Sequence, residues 1–549
     1  MKKLSQPLLL SVLLILIIMN ISCKKEPEPD YTDVILASMT IEDKIGQMLM
    51  FGFPGTEMTG QAEMLLKKYR PGGIILFGFN IKNRKQLTDF TSSMQNSAAG
   101  LKMLPLMIST DQEGGKVRRV TDGITVFPGN MSIGAANDPD LAYSIGRITG
   151  MELRLCGINM NLAPDVDINS NPDNPVINVR SFGSNREIVS AMGSSYIKGI
   201  QSSKCMAVAK HFPGHGDTSI DSHKSLPQIN HSIDYLRQNE FVPFKTAIES
   251  GVSGIMSAHI AFPEILGDDT PATLSPYFLN EILQNELKFP GIIMTDDLEM
   301  GAIGKNNDPG EAALKAVNSG VDILLFTTFS TSLEKIYDSL IAAYYSGHLT
   351  EKRIDQSASK IIRAKLQFSI AGYDKEKSEI VSGSYVLSDE DMEILKTAEN
   401  INRQAAEKGV YYYSMNKSFA AASGEEIFIS GEAAFAEYID SPELKYIHKS
   451  GLVQAVKNSK SNAKKIYYFT HRYHDPVLRK LMILHKTHSE IELRVISTGN
   501  PYDLTGRGEL PPVLFTFGNT PSSYAAILKY IKGEIVPGEN ADIDLGFVR

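Results

Sequence analysis

Ala207-Val208-Ala209-Lys210-His211-Phe212-Pro213-Gly214-His215-Gly216-Asp217-Thr218, with Asp221-Ser222-His223 directly behind it, joins a strand-like run to a loop crowded with titratable groups. Residues 210–223 hold three histidines, two aspartates and a lysine in fourteen positions. Lys and Asp are rarely buried unpaired, and Pro213 and Gly214 mark a break where the chain turns, so packing alone explains this density poorly. Acid–base chemistry needs a group that titrates near the working pH and is held by a partner. An Asp two residues from a His, as in Asp221 and His223, supplies both.

Seven further apolar runs of strand character flank this one, at residues 46–53, 73–79, 106–111, 158–165, 254–259, 292–296 and 321–327, most of them introduced by Gly or Pro. Stretches with helical periodicity, such as 141–155, 188–201 and 236–249, separate most of them. Eight strands alternating with helices predict an α/β fold of the (β/α)8 TIM type, with a doubly wound open sheet as the alternative. Continuous rather than alternating apolar runs suit strands buried on both faces. Asp111, Asp165, Lys210, His211, His259 and Asp296 all stand at or just past the C-terminal end of a run. In a barrel that edge is where catalytic side chains converge.

The barrel is expected over residues 35–370, a polar linker over 371–389, and a second α/β domain over 390–549. Strand-like runs at 427–429, 466–469, 493–496 and 513–517 alternate there with helical patterns at 476–485 and 522–531, which predicts a small parallel sheet with helices on its faces. That half lacks a dense cluster of catalytic residue types. Gly499-Asn500-Pro501-Tyr502 and Gly518-Asn519 read as turn chemistry.

The 549 residues are 42% apolar and 21% charged, with a net charge of −8. This mildly acidic balance gives no footing for a nucleic-acid partner. Trp is absent, so any sugar-stacking platform must use Tyr or Phe. At the N-terminus Lys2 and Lys3 precede the apolar run 8–19, followed by Ile21, Ser22 and Cys23. Residues 1–23 read as a targeting segment and 24–34 as a solvated tether, which places the protein outside the cytoplasm. The apolar run is short for a span of about 20 residues. Cys156 and Cys205 read as buried free thiols, with a disulfide as the alternative in an oxidising compartment.

Three more segments agree with the 210–223 stretch in order and spacing: Asp111-Gln112-Glu113-Gly114-Gly115, Asn178-Val179-Arg180-Ser181-Phe182-Gly183 and Thr295-Asp296-Asp297-Leu298-Glu299-Met300. Together they resemble the signature of family 3 glycoside hydrolases in their β-N-acetylglucosaminidase branch, across residues 35–370. The likeness extends more weakly through Ser497-Thr498-Gly499-Asn500-Pro501-Tyr502. Lys116 stands where the family usually has Arg.

The resemblance implies Asp296 as nucleophile, His223 as general acid/base and Asp221 as its orienting partner. It implies Asp111, Arg180, Lys210 and His211 as the residues that hold the terminal sugar. It also implies no metal or organic cofactor, no protein partner, and short GlcNAc-terminated glycans as substrates, whether peptidoglycan fragments or chitooligosaccharides. The N-terminus is similar to a bacterial lipoprotein signal, with Asn20 departing from the usual apolar residue. That likeness implies lipidation at Cys23, a membrane contact through the lipid alone, and an address in the cell envelope.

The residues themselves agree with these roles. A carboxylate at a strand end is held rigidly, and Lys210 with Arg180 would keep it ionised. His223, in a Gly-rich loop, could close over a leaving group and reopen. A His in place of the usual second carboxylate repels no incoming anion, so hydrolysis and phosphorolysis both stay open. A β-glucosidase of the same family is the near rival.

A metallohydrolase built on His211, His215, Asp217, Asp221 and His223 is the rival from another class. Pro213 and Gly214 interrupt its spacing, and the chain lacks an HExxH helix. A non-catalytic envelope lipoprotein is the third reading, against which nucleophile and dyad both stand. His215 is expected to shape the loop and Asp297 to cap or brace, while His259, Asp165 and Asp167 receive no role.

Overall fold

All eight apolar runs form strands: β1 (Leu49–Gly52), β2 (Gly73–Ile75), β3 (Met107–Thr110), β4 (Met160–Asn161), β5 (Met206–Phe212), β6 (Gly254–Ser257), β7 (Ile292–Thr295) and β8 (Leu324–Phe326). They lie side by side in parallel, β1 pairs with β8, and a bridge between Met294 and Ile323 draws β7 onto β8 and closes the ring. Every residue in these strands is buried, as continuous apolar runs demand. The result is a (β/α)8 barrel. The computed structural model describes residues 30–304, 308–327 and 331–413, and then 426–430, 435–436, 439, 444–458, 464–470, 475–488, 491–498, 513–532 and 534–535. The expected targeting segment, Cys23 and the turn at 499–502 lie outside the described residues.

Local chemistry sets the helices of the outer ring. Asp138 caps Pro139–Leu155 by accepting from Leu141 N, and Pro139 fills a first-turn position whose N–H has no intrahelical partner. Asn185 caps Arg186–Ser202 in the same way. These two helices approach closely: a Cβ on Gly199 would lie 2.1 Å from Tyr143 O, and one on Gly146 would lie 2.3 Å from Tyr196 O. The apolar stripe of the first, Leu141, Ile145, Ile148 and Met151, is buried against the barrel. Each such side chain stabilises the fold by about 1.5–3 kcal/mol.

One irregularity matters for function. The β5–β6 register shifts between Ala209 and Phe212, so Lys210 and His211 sit in a bulge at the C-terminal end of β5. Bulges re-aim side chains, and this one lies at the rim.

Residues 371–389 contain a two-stranded antiparallel ribbon, β9 (Ala371–Asp374) with β10 (Glu379–Ser382). Beyond it the helices Asp389–Lys396 and Ala398–Lys408 lead into a six-stranded sheet. Its strands are β11 (Tyr411–Tyr413), β12 (Glu426–Ser430), β13 (Leu444–Tyr446), β14 (Lys464–Phe469), β15 (Ile491–Ser497) and β16 (Val513–Phe515), in the order β11-β16-β15-β14-β12-β13. All neighbours are parallel except β11, which runs antiparallel to β16. Lys408 pairs with Asp138 at 2.6 Å, and Arg147 pairs with Glu390 and Asp391 at 3.1 and 3.0 Å, tying the second sheet's lead-in helices to the barrel. Cys156 and Cys205 are free buried thiols. Burial pushes them up to about 11 and about 12. No helix of the described residues is long and apolar enough to cross a membrane.

Candidate active site

A cavity of about 430 Å³ opens at the C-terminal end of the barrel, and Asp111, Arg180, Lys210, His211, His223 and Asp296 all line it. Asp296 follows β7 directly and is partly buried, accepting a 2.8 Å hydrogen bond from Asp297 N. Burial pushes its carboxyl up, but His211, His259, the Asp297 N–H and Lys210 outweigh this and hold it below the ordinary range. His211 is itself neutral at physiological pH, because burial lowers it to about 4. The fixed positive charge of Lys210 and the oriented N–H of Asp297 therefore keep Asp296 ionised at neutral pH.

Lys210 and Arg180 are two cations held inside the protein, and Glu113 pairs with both. Arg180 donates to it through Nε at 3.0 Å and a terminal nitrogen at 2.8 Å, while Lys210 Nζ sits 2.7 Å from Glu113 Oε1. Burial pushes Glu113 up, but the charges of Arg180 and Lys210 prevail and hold it well below the usual carboxylate range. Lys210 also donates to Asp111 at 2.9 Å, and Arg119 reaches the other Asp111 oxygen at 3.4 Å. Two cations facing two carboxylates in one buried cluster have little freedom to rotate. Such a cluster presents fixed donors and acceptors to a polar ligand.

Asp167 braces the rim from behind. It accepts from His211 N at 3.1 Å and from His215 N at 2.7 Å, and lies 2.7 Å from His211 Nδ1. That contact assigns the His211 proton to Nδ1 and turns Nε2 toward Arg180, 3.5 Å away. Burial raises Asp165 to about 8, with the neighbouring Asp167 adding to it, and raises Asp167 to about 6. Three N–H groups on Asp167 favour its charged form. Asp165, Asp167 and His211 offer ligand atoms within 4.8 Å of one another. The Arg180 guanidinium, 3.7 Å from Asp165, already stands where a cation would balance that charge.

The loop after β5 has a braced base and an open tip. Asn174 Nδ2 donates to His215 O and Gly216 O, both at 2.9 Å. His215 engages Thr218 Oγ1 with one ring nitrogen at 2.9 Å and Ser222 Oγ with the other at 3.0 Å, as expected of a loop-shaping residue. His223 is 64% exposed, and its Nδ1 lies 2.9 Å from an Asp221 carboxylate oxygen that also accepts its backbone N–H. Burial pushes Asp221 up, but the hydrogen bonds from His223 outweigh it and leave Asp221 below its ordinary value. The Asp221 contact leaves His223 Nε2 free for a ligand. Gly301 N and Ala302 N donate to His223 O and Ser222 O, which seats the loop on the segment that follows Asp296.

Residues 40–364 match the Glycosyl hydrolase family 3 N terminal domain. The chain belongs to this family. Beta-hexosaminidase A of Pseudoalteromonas piscicida is 36% identical over 332 residues, which span 56% of this chain and 56% of that protein, so the match covers just over half of that relative's length. Beta-hexosaminidase of Nitrosomonas eutropha is 34% identical over 298 residues, covering 53% of this chain and 84% of that protein. Among solved structures, a glycoside hydrolase family 3 beta-N-acetylglucosaminidase from Paenibacillus sp. str. FPU-7 superposes with TM-score 0.79 at 32% identity, covering 91% of this chain and 98% of that one. NagZ from Neisseria gonorrhoeae, in complex with N-trifluoroacetyl-D-glucosamine, gives TM-score 0.53 at 27% identity, covering 65% and 98%.

In this family 3 chain the geometry also shows Asp297 as a brace and gives His259, which sequence reasoning left without a role, a structural one. Asp297 accepts from Glu299 N, Thr327 N and Thr327 Oγ1, a brace between β7 and β8. His259 bonds Thr273 Oγ1 and Asp297 O and is fully engaged inside the wall. Glu113, Asn174 and Glu240 were missed. Glu113 had a signal available, since two cations beside one carboxylate call for a second. Glu240 is buried beneath the loop, neither of its carboxyl oxygens has a hydrogen-bond partner among the described residues, and a Cβ on Gly214 would come within 2.7 Å of it. Burial, then the charges of Asp167 and Asp217, raise Glu240 well above the usual carboxylate range.

Proposed function

We propose that the protein is an exo-acting, retaining β-N-acetylglucosaminidase that removes terminal GlcNAc from short glycans, with peptidoglycan fragments or chitooligosaccharides as the substrate class. The observation that carries this reading is the pairing, around one cavity, of an ionised strand-end carboxylate with a His–Asp dyad on a loop. The names of its relatives favour an acetamido sugar over glucose.

In the first step Asp296 attacks the anomeric carbon. The bond to the leaving oxygen breaks, and the proton on His223 Nε2 passes to that oxygen. In the second step His223 takes a proton from water, the resulting hydroxide attacks the same carbon, and Asp296 leaves with its electron pair. Asp221 holds the imidazole in the tautomer that leaves Nε2 for this traffic and stabilises its protonated form. Lys210, Asp111, Arg180 and His211 hold the terminal sugar while reaction proceeds. His223, exposed without ligand, closes over the glycosidic oxygen when substrate binds.

Hydrolysis of a chromogenic β-GlcNAc glycoside beside the matching β-glucoside, with and without chelator, tests the reading. Preference for GlcNAc that survives chelation supports it, and preference for glucose moves the protein to the glucosidase branch. Repeating the assay with added inorganic phosphate reports on phosphorolysis through the appearance of a sugar 1-phosphate. The leader-like residues 1–23 support an envelope address with Cys23 lipidated. Cys23→Ala should shift the protein out of the membrane fraction.

A further inference from the structure

Phe77 lines the catalytic cavity, and Phe79, which does not line it, stacks on Phe77 with ring centroids 5.6 Å apart and planes 18° apart. Phe79 is 65% exposed. A single exposed apolar side chain needs no explanation in itself, but this one is held in place. It sits in the single turn Gly78–Asn80 after β2, and Asn80 is wholly buried. Asn80 Nδ2 donates to Phe53 O at 2.9 Å and Gly55 O at 2.6 Å, and its oxygen accepts from Phe77 N at 2.9 Å. Gln86 Nε2 clamps the same turn by donating to Asn80 O at 3.1 Å and Thr56 O at 2.6 Å. The turn is thus fixed by one buried and one half-buried side chain while its one large apolar ring is kept out of the core.

The ligands of the inner cavity are charged: Asp111, Lys210 and Arg180 suit hydroxyls and an acetamide. A pyranose ring also has apolar C–H faces, which stack on aromatic rings, and this chain has no Trp to offer. An exposed ring stacked on the wall meets the part of a substrate that protrudes from the enclosed sugar site. For an exo-acting enzyme that part is the leaving group. Resting on the β-N-acetylglucosaminidase reading above, we propose that Phe79, backed by Phe77, is a stacking platform for the first sugar ring of the leaving group. The platform makes a β-linked glycan, rather than a small alkyl glycoside, the better substrate.

Phe79→Ala should lower the ratio of kcat/KM for N,N′-diacetylchitobiose over methyl β-GlcNAc glycoside by roughly 5- to 10-fold, with Phe79→Tyr restoring most of it. An unchanged ratio overturns the proposal. A second measurement works without turnover. Phe79→Trp in an Asp296→Asn background carries the only Trp of the chain, and chitobiose should shift its emission where GlcNAc alone leaves it unmoved. Emission indifferent to chitobiose overturns the platform. Failure of the wild-type protein to cleave either glycoside instead overturns the activity it rests on, while the emission experiment still reports on stacking.

Discussion

Asp322 and Asp296 stand at opposite ends of the neighbouring strands β8 and β7, and their surroundings could hardly differ more. The Asp322 carboxylate, wholly buried at the N-terminal end, accepts from Ile293 N at 3.0 Å, Ser357 Oγ at 2.7 Å, Lys360 Nζ at 2.9 Å and Arg353 at 3.4 Å. Asp296, at the C-terminal end, accepts one protein hydrogen bond among the described residues and faces a cavity. A carboxylate whose lone pairs are all taken can fasten strands and helices but has nothing left for a reacting atom. One left short of partners, with fixed positive charge nearby, stays ionised and available. Barrels commonly divide labour this way between their stable and catalytic ends.

The sharpest break of this comparison is a matched pair of variants. Asp296→Asn should lower kcat roughly 10⁴-fold while the melting midpoint stays near that of the parent. Asp322→Asn should do the reverse, costing about 3–5 kcal/mol of stability because it removes the charge from a wholly buried hub that holds Arg353 and Lys360, while the folded fraction keeps its kcat. Urea unfolding beside steady-state kinetics reads both. A collapse of activity in both variants, or in neither, would erase the distinction.

Next in size, His223→Ala should cost about 10²–10⁴-fold on a substrate whose leaving group must be protonated. It should cost far less on a dinitrophenyl glycoside, whose leaving group needs no proton. Equal losses on the two substrates would remove the acid role from His223.

The smallest effect concerns Glu240, which has neither the partners of Asp322 nor the cavity of Asp296. Its folded-state value is raised. The native state therefore keeps a proton that the unfolded chain gives up above about pH 4.3, and this contribution to stability declines as pH climbs. Glu240→Gln should gain little near pH 4 and progressively more toward pH 8, seen as a rising midpoint difference in urea titrations. A difference that does not change with pH would place the Glu240 charge in contact with water or a cation.

The barrel was legible because each strand is a continuous apolar run set off by turn residues, a local pattern that survives folding unchanged. Asp296, Lys210 and His211 were legible for the same reason, as polar residues ending such runs. Glu113 and Glu240 were not. Glu113 meets Arg180 across 67 positions of sequence. Glu240 lies within the stretch of helical periodicity 236–249, directly after the polar run Arg237-Gln238-Asn239, and is buried by the distant loop at Gly214. The ribbon of β9 and β10 escaped notice because its short, mostly polar strands have no apolar alternation. Tyr373 of β9 packs instead on distant Tyr31, with ring centroids 4.8 Å apart. The edge strands β11 and β13 are likewise set by pairing with distant partners rather than by a local pattern.

If catalysis is covalent, the unsaturated carboxylate at the end of β7 forms the bond to sugar. Reaction with a slow, ring-fluorinated GlcNAc donor, followed by quenching and peptide mass mapping, tests it most directly. One sugar mass should be added to the peptide carrying Asp296, and none in Asp296→Asn. A sugar adduct on any other residue, or steady turnover of the donor with no adduct in the wild-type protein, would contradict it.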